Sequence, residues 1–319
     1  MLQKIKLISL LERVNTVKIK KSLVLGFVSI SMLGIIMFKV QDWPAASNIA
    51  GIVLGLLLPE LLASLQDLVD TTEWKVSQRK LERGGFIKKD TLVRISFAYL
   101  FRIKIGDKYL LVRNARGTRK FQPVGGVYKL FGDEKTELKN LYQVMDDDKI
   151  SIDESSRNDY RLRLANKHLR NFVKRFDNGA SREQLYDLSR EFREEMVETA
   201  LVNWNEITYR VCGRHISKLE YGKHFQIYEL LLADIVELIP TKDQEKDLEL
   251  LMQKQSDKYI FATSAEIQSL GINTDLRKLS ETIADHSTKI IEENEGALIK
   301  IPEHGKIYSC LLYTSDAAD

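Results

Sequence analysis

Cysteine is almost missing from these 319 residues: Cys212 and Cys310 are the only two. They are too few and too far apart for a disulfide framework or a thiolate metal motif, and they suit a reducing compartment. Proline is scarce as well, at five, and with seventeen glycines the composition excludes a collagen-like chain. Charge of one sign is lacking too. A net charge of +3, from 48 basic and 45 acidic side chains, leaves no overall nucleic-acid footprint, and 44% apolar content excludes a disordered chain. One or two folded domains remain.

What is present begins with the first seventy residues. Residues 22–38 carry no charge, and residues 44–65 carry only Glu60. Each run, at about 20 residues, is long enough to cross a bilayer as a helix. A cleaved signal peptide is set aside because no A-x-A site ends the first run and a second run follows at once. Lys4, Lys6, Arg13, Lys18, Lys20 and Lys21 precede the first run; Lys75, Arg79, Lys80 and Arg83 follow the second; the connection holds only Lys39. The positive-inside rule therefore predicts a transmembrane hairpin with both termini cytoplasmic. Gly51 and Gly55 form a G-x-x-x-G that lets helix backbones approach closely, which makes them candidate packing residues. Glu60, near the cytoplasmic end, reads as interfacial.

After a charged stretch, Gly84 and Gly85 mark the start of a second region. Val93, Ile95, Phe97, Tyr99, Phe101, Ile103 and Ile105 then alternate with smaller or polar residues, which predicts a strand, and Gly106–Asp107 fits a hairpin turn before a returning run to Arg113. Arg116, Arg119 and Lys120 precede Phe121–Gln122–Pro123–Val124–Gly125–Gly126, where paired glycines permit a bulge or a close approach by ligand or backbone. Residues 127–178 read as a charged insertion: the acidic run 146–148 as solvated surface, the basic stretch 161–175 as helical. A helix predicted within 181–202 carries Arg190, Glu191, Glu194 and Glu195, with three carboxylates on one face. These either hold Mg²⁺ through hard oxygen ligands or form a solvated face with an Arg190–Glu194 pair. Further strands are predicted over 207–212 and 226–237. Tyr221 between them offers a stacking face, with His215, Lys218, Lys223 and His224 as donors. A capping box at Thr263 and Glu266 opens a last helix.

The order of hairpin strands, Gly-Gly turn, R-E-x-x-E-E helix, further strands and capped helix, over about residues 90–294, resembles a NUDIX domain. With two membrane segments ahead of it, the chain is similar to the SMODS-associated NUDIX family, the two-transmembrane NUDIX effectors of CBASS anti-phage systems. The resemblance matches Glu191, Glu194 and Glu195 to the glutamates of the family's box, of which the last pair and its neighbours bind divalent metal. It matches 121–126 to the turn ahead of the NUDIX helix. The glycine and glutamate that the box places upstream fall here on Phe176 and Arg182, with Gly179 and Glu183 out of register, and Val197 replaces a later glycine.

The expected fold is therefore α/β: a two-helix transmembrane hairpin followed by a cytoplasmic NUDIX-like α/β/α sandwich with an inserted helical segment. The expected segments are a basic cytoplasmic start (1–21), the hairpin (22–65), a juxtamembrane linker (66–89), the domain (90–294, insertion about 127–178) and a tail (295–309). Residues 310–319 read as an adapter-derived scar, set aside from fold reasoning.

The resemblance implies a sensor of a cyclic oligonucleotide made by a partner nucleotidyltransferase. Occupancy would assemble the hairpins and disrupt the bacterial inner membrane. Arg116, Arg119, Lys120, Gln122, Gly125, Gly126 and Tyr221 are the candidate nucleotide contacts. Glu191, Glu194 and Glu195 are candidate Mg²⁺ ligands, although sensing requires no cofactor. The expected partners are the cyclic second messenger, the bilayer and, on activation, further copies of the chain, with no nucleic acid. The competing expectations are a membrane-tethered, Mg²⁺-dependent NUDIX hydrolase of nucleoside diphosphate derivatives and a ligand-free anchored scaffold.

Overall fold

The computed structural model describes residues 72–114, 119–150, 153–154, 156–179, 181–272 and 281–312. Both apolar runs, Gly51, Gly55 and Arg116 lie outside the described residues, among which no helix is long and apolar enough to cross a membrane. The fold is that of the unit Ser77–Asp319.

Helix α1 (Glu73–Arg83) leads in, and the period-two run becomes β1 (Leu92–Arg102), which bends at Ile103 into the short β2 (Lys104–Ile105). The turn forms as the sequence predicts: Gly106 adopts φ 60° and β2 pairs with β3 (Lys108–Arg113). The main sheet has the order β12-β8-β10-β1-β7-β6, built from β6 (Met145–Asp146), β7 (Arg161–Ala165), β8 (Glu206–Ile216), β10 (Ile227–Leu238) and β12 (Ile307–Leu311). β5 (Gly125–Val127) pairs with β1, and β9 (Glu220–Gly222) with β10. A second sheet joins β11 (Tyr259–Thr263), β3 and β2, with β4 (Phe121–Gln122) at its side.

At the centre β1 runs parallel to β10, from Val93↔Tyr228 to Arg102↔Glu237. β1 has packed layers over both its faces, so its alternation separates two buried faces rather than inside from outside. One face carries Phe97, Tyr99 and Phe101. It packs against α3 (Leu169–Asn178), where Phe97 meets Phe176 edge-on at 4.7 Å, and against Phe192, which meets Phe101 at 5.4 Å. The other face carries Leu100, whose core includes Tyr109 and Leu111 of β3, Ala262 of β11 and Ile290. The expected α/β fold is present as a mixed sheet, and a four-stranded sheet shares this face of the central sheet.

The insertion is not helical throughout. It supplies β6 and β7 to the sheet and α3 to its core, and α2 (Glu134–Tyr142) buries Leu138 and packs Tyr142 on Phe172 at 5.9 Å. The basic stretch is half strand, half helix. The acidic run is not all solvated surface, since Asp147 is buried and accepts a 2.7 Å hydrogen bond from Arg94, whose other arm reaches Glu229 at 2.9 Å. At the far end, Cys310 and Leu311, set aside as scar, form the last residues of β12. Cys310 is buried beside the Tyr209 hydroxyl at 3.4 Å.

Candidate functional site

The Gly-Gly turn and the R-E-x-x-E-E segment meet on the β1 face that carries Tyr99. Gly125 has φ 144° and lies so close to β1 that an added Cβ would strike the Tyr99 carbonyl oxygen; at Gly126 it would strike the Glu191 carboxylate. The two glycines thus admit a strand and a helix side chain. Of the close approaches that the sequence allows at these glycines, those by another backbone and by a side chain are the ones seen.

The predicted helix over 181–202 is much shorter than its pattern. Residues 181–188 are extended or turned, α4 spans Ser189–Phe192, and Arg193–Val197 continues as a π turn, closed by the Glu198 N–H donating to the Arg193 carbonyl at 2.9 Å. The wider turn rotates the paired glutamates away from α-helical register, as π turns at functional sites often do. Glu195 points inward, where its carboxylate accepts the Gly125 N–H at 2.9 Å. Burial is the main cause that raises its pKa to about 8, and Glu191 and Glu194 add to the rise. Burial also raises the half-exposed Glu194, again with Glu191 assisting.

Arg190 holds the centre. Its Nε donates to Glu183 Oε1 at 3.1 Å, and its Nη2 to Glu183 Oε2 and the Val127 carbonyl, both at 3.0 Å. It pairs with Glu191 and lies 3.7 Å from Glu194. Tyr99 donates to Glu183 Oε1 at 3.0 Å, and burial drives its hydroxyl well above the ordinary range. Glu183, one residue out of register in the sequence, therefore reaches the arginine in space. Arg182, at the position the family gives to glutamate, stacks on Phe176 with its guanidinium carbon 3.9 Å from the ring centre. Sequence reading missed Tyr99, whose only signal was its place on the aromatic side of β1.

Glu191, Glu194 and Glu195 are of the hard oxygen kind Mg²⁺ takes. Their placement does not fit a shared ion: two turn to Arg190 and the third to Gly125. Among the described residues no group of three or more His, Cys, Asp or Glu side chains is placed to hold a metal.

At the rim, Lys120 pairs with Glu281 at 2.5 Å, and the Gln122 amide oxygen accepts from Asn114 at 2.8 Å. Gln122 also hydrogen-bonds Glu195, while Arg119 is exposed at φ 55°. Tyr221 is not brought together with them. It lies opposite Tyr228, level with Val93 and six residues along β1 from the Tyr99 that faces Gly126, or about 20 Å at strand rise. His215 is half-buried on β8, and burial presses its imidazole down to about 4.

A mixed sheet with a Gly-Gly turn seated on an R-E-x-x-E-E segment defines a NUDIX-type domain, a class that generally works with Mg²⁺. Residues 92–291, more than half the chain, match the SMODS-associated NUDIX domain, and the chain belongs to that family. A comparison with curated proteins finds no sequence match.

Proposed function

We propose that this chain is a membrane-anchored effector of CBASS-type anti-phage defence. Its NUDIX domain binds a cyclic oligonucleotide, and occupied domains draw the two-helix hairpins together and disrupt the bacterial inner membrane. Both termini lie on the cytoplasmic side, and the active form is a homo-oligomer. The observation that carries the reading is the Arg190 network within a SMODS-associated domain. The helix carboxyls take their partners from Glu183-anchored Arg190 and from the Gly125 N–H, so the site keeps its shape without a metal. Arg119, Lys120 and Gln122 form the rim that meets the ligand's phosphates, with Arg116 in the adjoining stretch. Signalling needs only a ligand that prefers one assembly state over the other.

A Mg²⁺-dependent hydrolase is the second reading, and one observation favours it: repulsion among Glu191, Glu194 and Glu195 adds to the burial that raises the Glu194 and Glu195 carboxyls, and a divalent cation would relieve that repulsion. Mass spectrometry of the detergent-solubilised full chain, given Mg²⁺ and a pool of linear and cyclic nucleotides, separates the two. An intact cyclic oligonucleotide retained by the protein supports the sensor. Turnover abolished by a chelator supports the hydrolase and sinks the sensor.

A further inference from the structure

At the far end of β1 and β10 from the Gly-Gly turn lies a patch that the nucleotide site does not use. Helix α1 ends on Gly84–Gly85, with Gly85 at φ 72° and the Phe86 N–H returning to the Leu81 carbonyl at 3.0 Å. This cap fixes the loop, and the Phe86 ring lies over Gly84 yet remains 70% exposed. The Phe86 carbonyl lies 3.5 Å from the Tyr228 hydroxyl, and Tyr228 packs edge-on against Tyr221, itself 53% exposed, at 5.3 Å. The two exposed rings therefore share one surface.

Arg83, Lys88 and Lys89 lie within three residues of Phe86 along the chain, and Lys223 lies two residues after Tyr221. All four are exposed and have no ion pair among the described residues. Of the nearby carboxylates, Asp90 is paired with Lys167 at 2.8 Å and Glu229 with Arg94 at 2.9 Å, and Glu82 accepts from Asn166 at 2.8 Å, which leaves Glu220. Aromatic rings ringed by lysine and arginine match the chemistry of an anionic membrane interface, where rings enter the headgroup layer and cations meet lipid phosphates.

Chain length points the same way. Helix α1 begins at Glu73, eight residues after the second apolar run ends at Leu65, a reach of at most about 30 Å even when fully extended.

We propose that the patch of Phe86 and Tyr221, with Arg83, Lys88, Lys89 and Lys223, docks the NUDIX domain on the anionic cytoplasmic leaflet. Docking orients the nucleotide rim, at the other end of the sheet, away from the lipid. The inference rests in part on the membrane-anchor reading, and its test keeps the two apart.

The full chain is prepared as Phe86→Cys, labelled with an environment-sensitive dye, and placed in vesicles of phosphatidylcholine with or without phosphatidylglycerol that carry a lipid-bound spin quencher. Cys212 and Cys310 are buried and take up little dye. Leu250→Cys, exposed on the helix Lys242–Met252 that follows β10, is the control. The expected result is a blue shift and quenching at position 86 that are stronger with phosphatidylglycerol, and neither at 250. Each lysine facing an anionic leaflet changes partitioning by about fivefold, so Lys88→Glu with Lys89→Glu should remove most of the quenching.

A dye at 86 that stays aqueous overturns the proposal, and so does a blue shift without lipid quenching, which would mean that a protein surface covers the patch. Resistance of the chain to alkaline carbonate extraction reports the membrane anchor separately. Extraction with the quenching intact would sink the anchor and leave the docking surface standing.

Discussion

The NUDIX segment and the Phe86–Tyr221 patch lie at opposite ends of the same two strands and treat charge in opposite ways. Around Arg190 every carboxyl has a partner: Glu183, Glu191 and Glu194 face the guanidinium, and Glu195 accepts the Gly125 N–H. Around Phe86 the lysines and arginine are exposed and the rings face solvent. A buried charge persists only with a partner, whereas an exposed one costs little and is left for something outside the molecule. The difference teaches which residues hold the fold and which face a partner, and each substitution below can break it.

The largest effect belongs to the interior. Arg214 grips Asp234 at 2.5 and 2.9 Å and also pairs with Asp177, while Tyr128 donates to Asp234 at 2.7 Å. Arg214→Ala leaves Asp234 fully buried without its counter-charge and should cost about 3–5 kcal/mol in chemical denaturation. Lys223→Ala at the patch should stay within about 0.5 kcal/mol. Similar losses for the two would erase the contrast. Gly125→Ala comes next. It needs a left-handed φ of 144° and space held by the Tyr99 carbonyl, so about 2 kcal/mol or more of stability should go, together with the contact to Glu195.

How much of this was legible depends on whether the signal was local. The alternation of β1, the Gly106–Asp107 turn, strands β8 and β10 and the Thr263–Glu266 cap were all readable, because each is a rule about near neighbours. The equivalent Thr241–Gln244 box was equally plain in sequence and passed unread. The parallel β1–β10 pairing and the second sheet were not legible. They join segments more than a hundred residues apart, and nothing in either segment names its partner. The same holds for the site. A displaced Glu183 looked like a broken motif because spacing counts residues, whereas the turn ahead of α4 lets the carboxylate swing back to Arg190. Arg94 and Arg102 alternate in sequence with the apolar residues of β1. They are buried because Asp147 and Glu295, remote in sequence, come to meet them.

A smaller effect sharpens the comparison through pH. The Glu195 carboxyl is raised to about 8 in the fold from an ordinary value near 4.5, so between these values the folded chain holds a proton that the unfolded chain has lost. Stability therefore falls as pH rises through that window, by at most about 1.4 kcal/mol per pH unit from this group. Thermal melts from pH 5 to 8 should show the decline, and Glu195→Gln, which imitates the protonated acid, should flatten it. An unchanged slope would mean that Glu195 is charged in the fold, as a metal ligand would be.

The smallest effect on stability should carry the largest functional weight. Lys120 is a rim residue whose exposed pair with Glu281 spans 2.5 Å, and solvent screens such pairs to well under about 1 kcal/mol. Lys120→Ala should leave the melting curve almost unmoved. A rim lysine that meets ligand phosphate gives up Glu281 when the ligand arrives, so Glu281→Gln should tighten binding while Lys120→Ala weakens it by about tenfold. Calorimetric titration of both variants with the cyclic oligonucleotide retained by the wild type reads the two signs. Opposite shifts place the anion at this rim. If neither affinity moves, Lys120 and Glu281 answer only each other, and the β4 rim belongs with Arg190 among the groups that hold the fold.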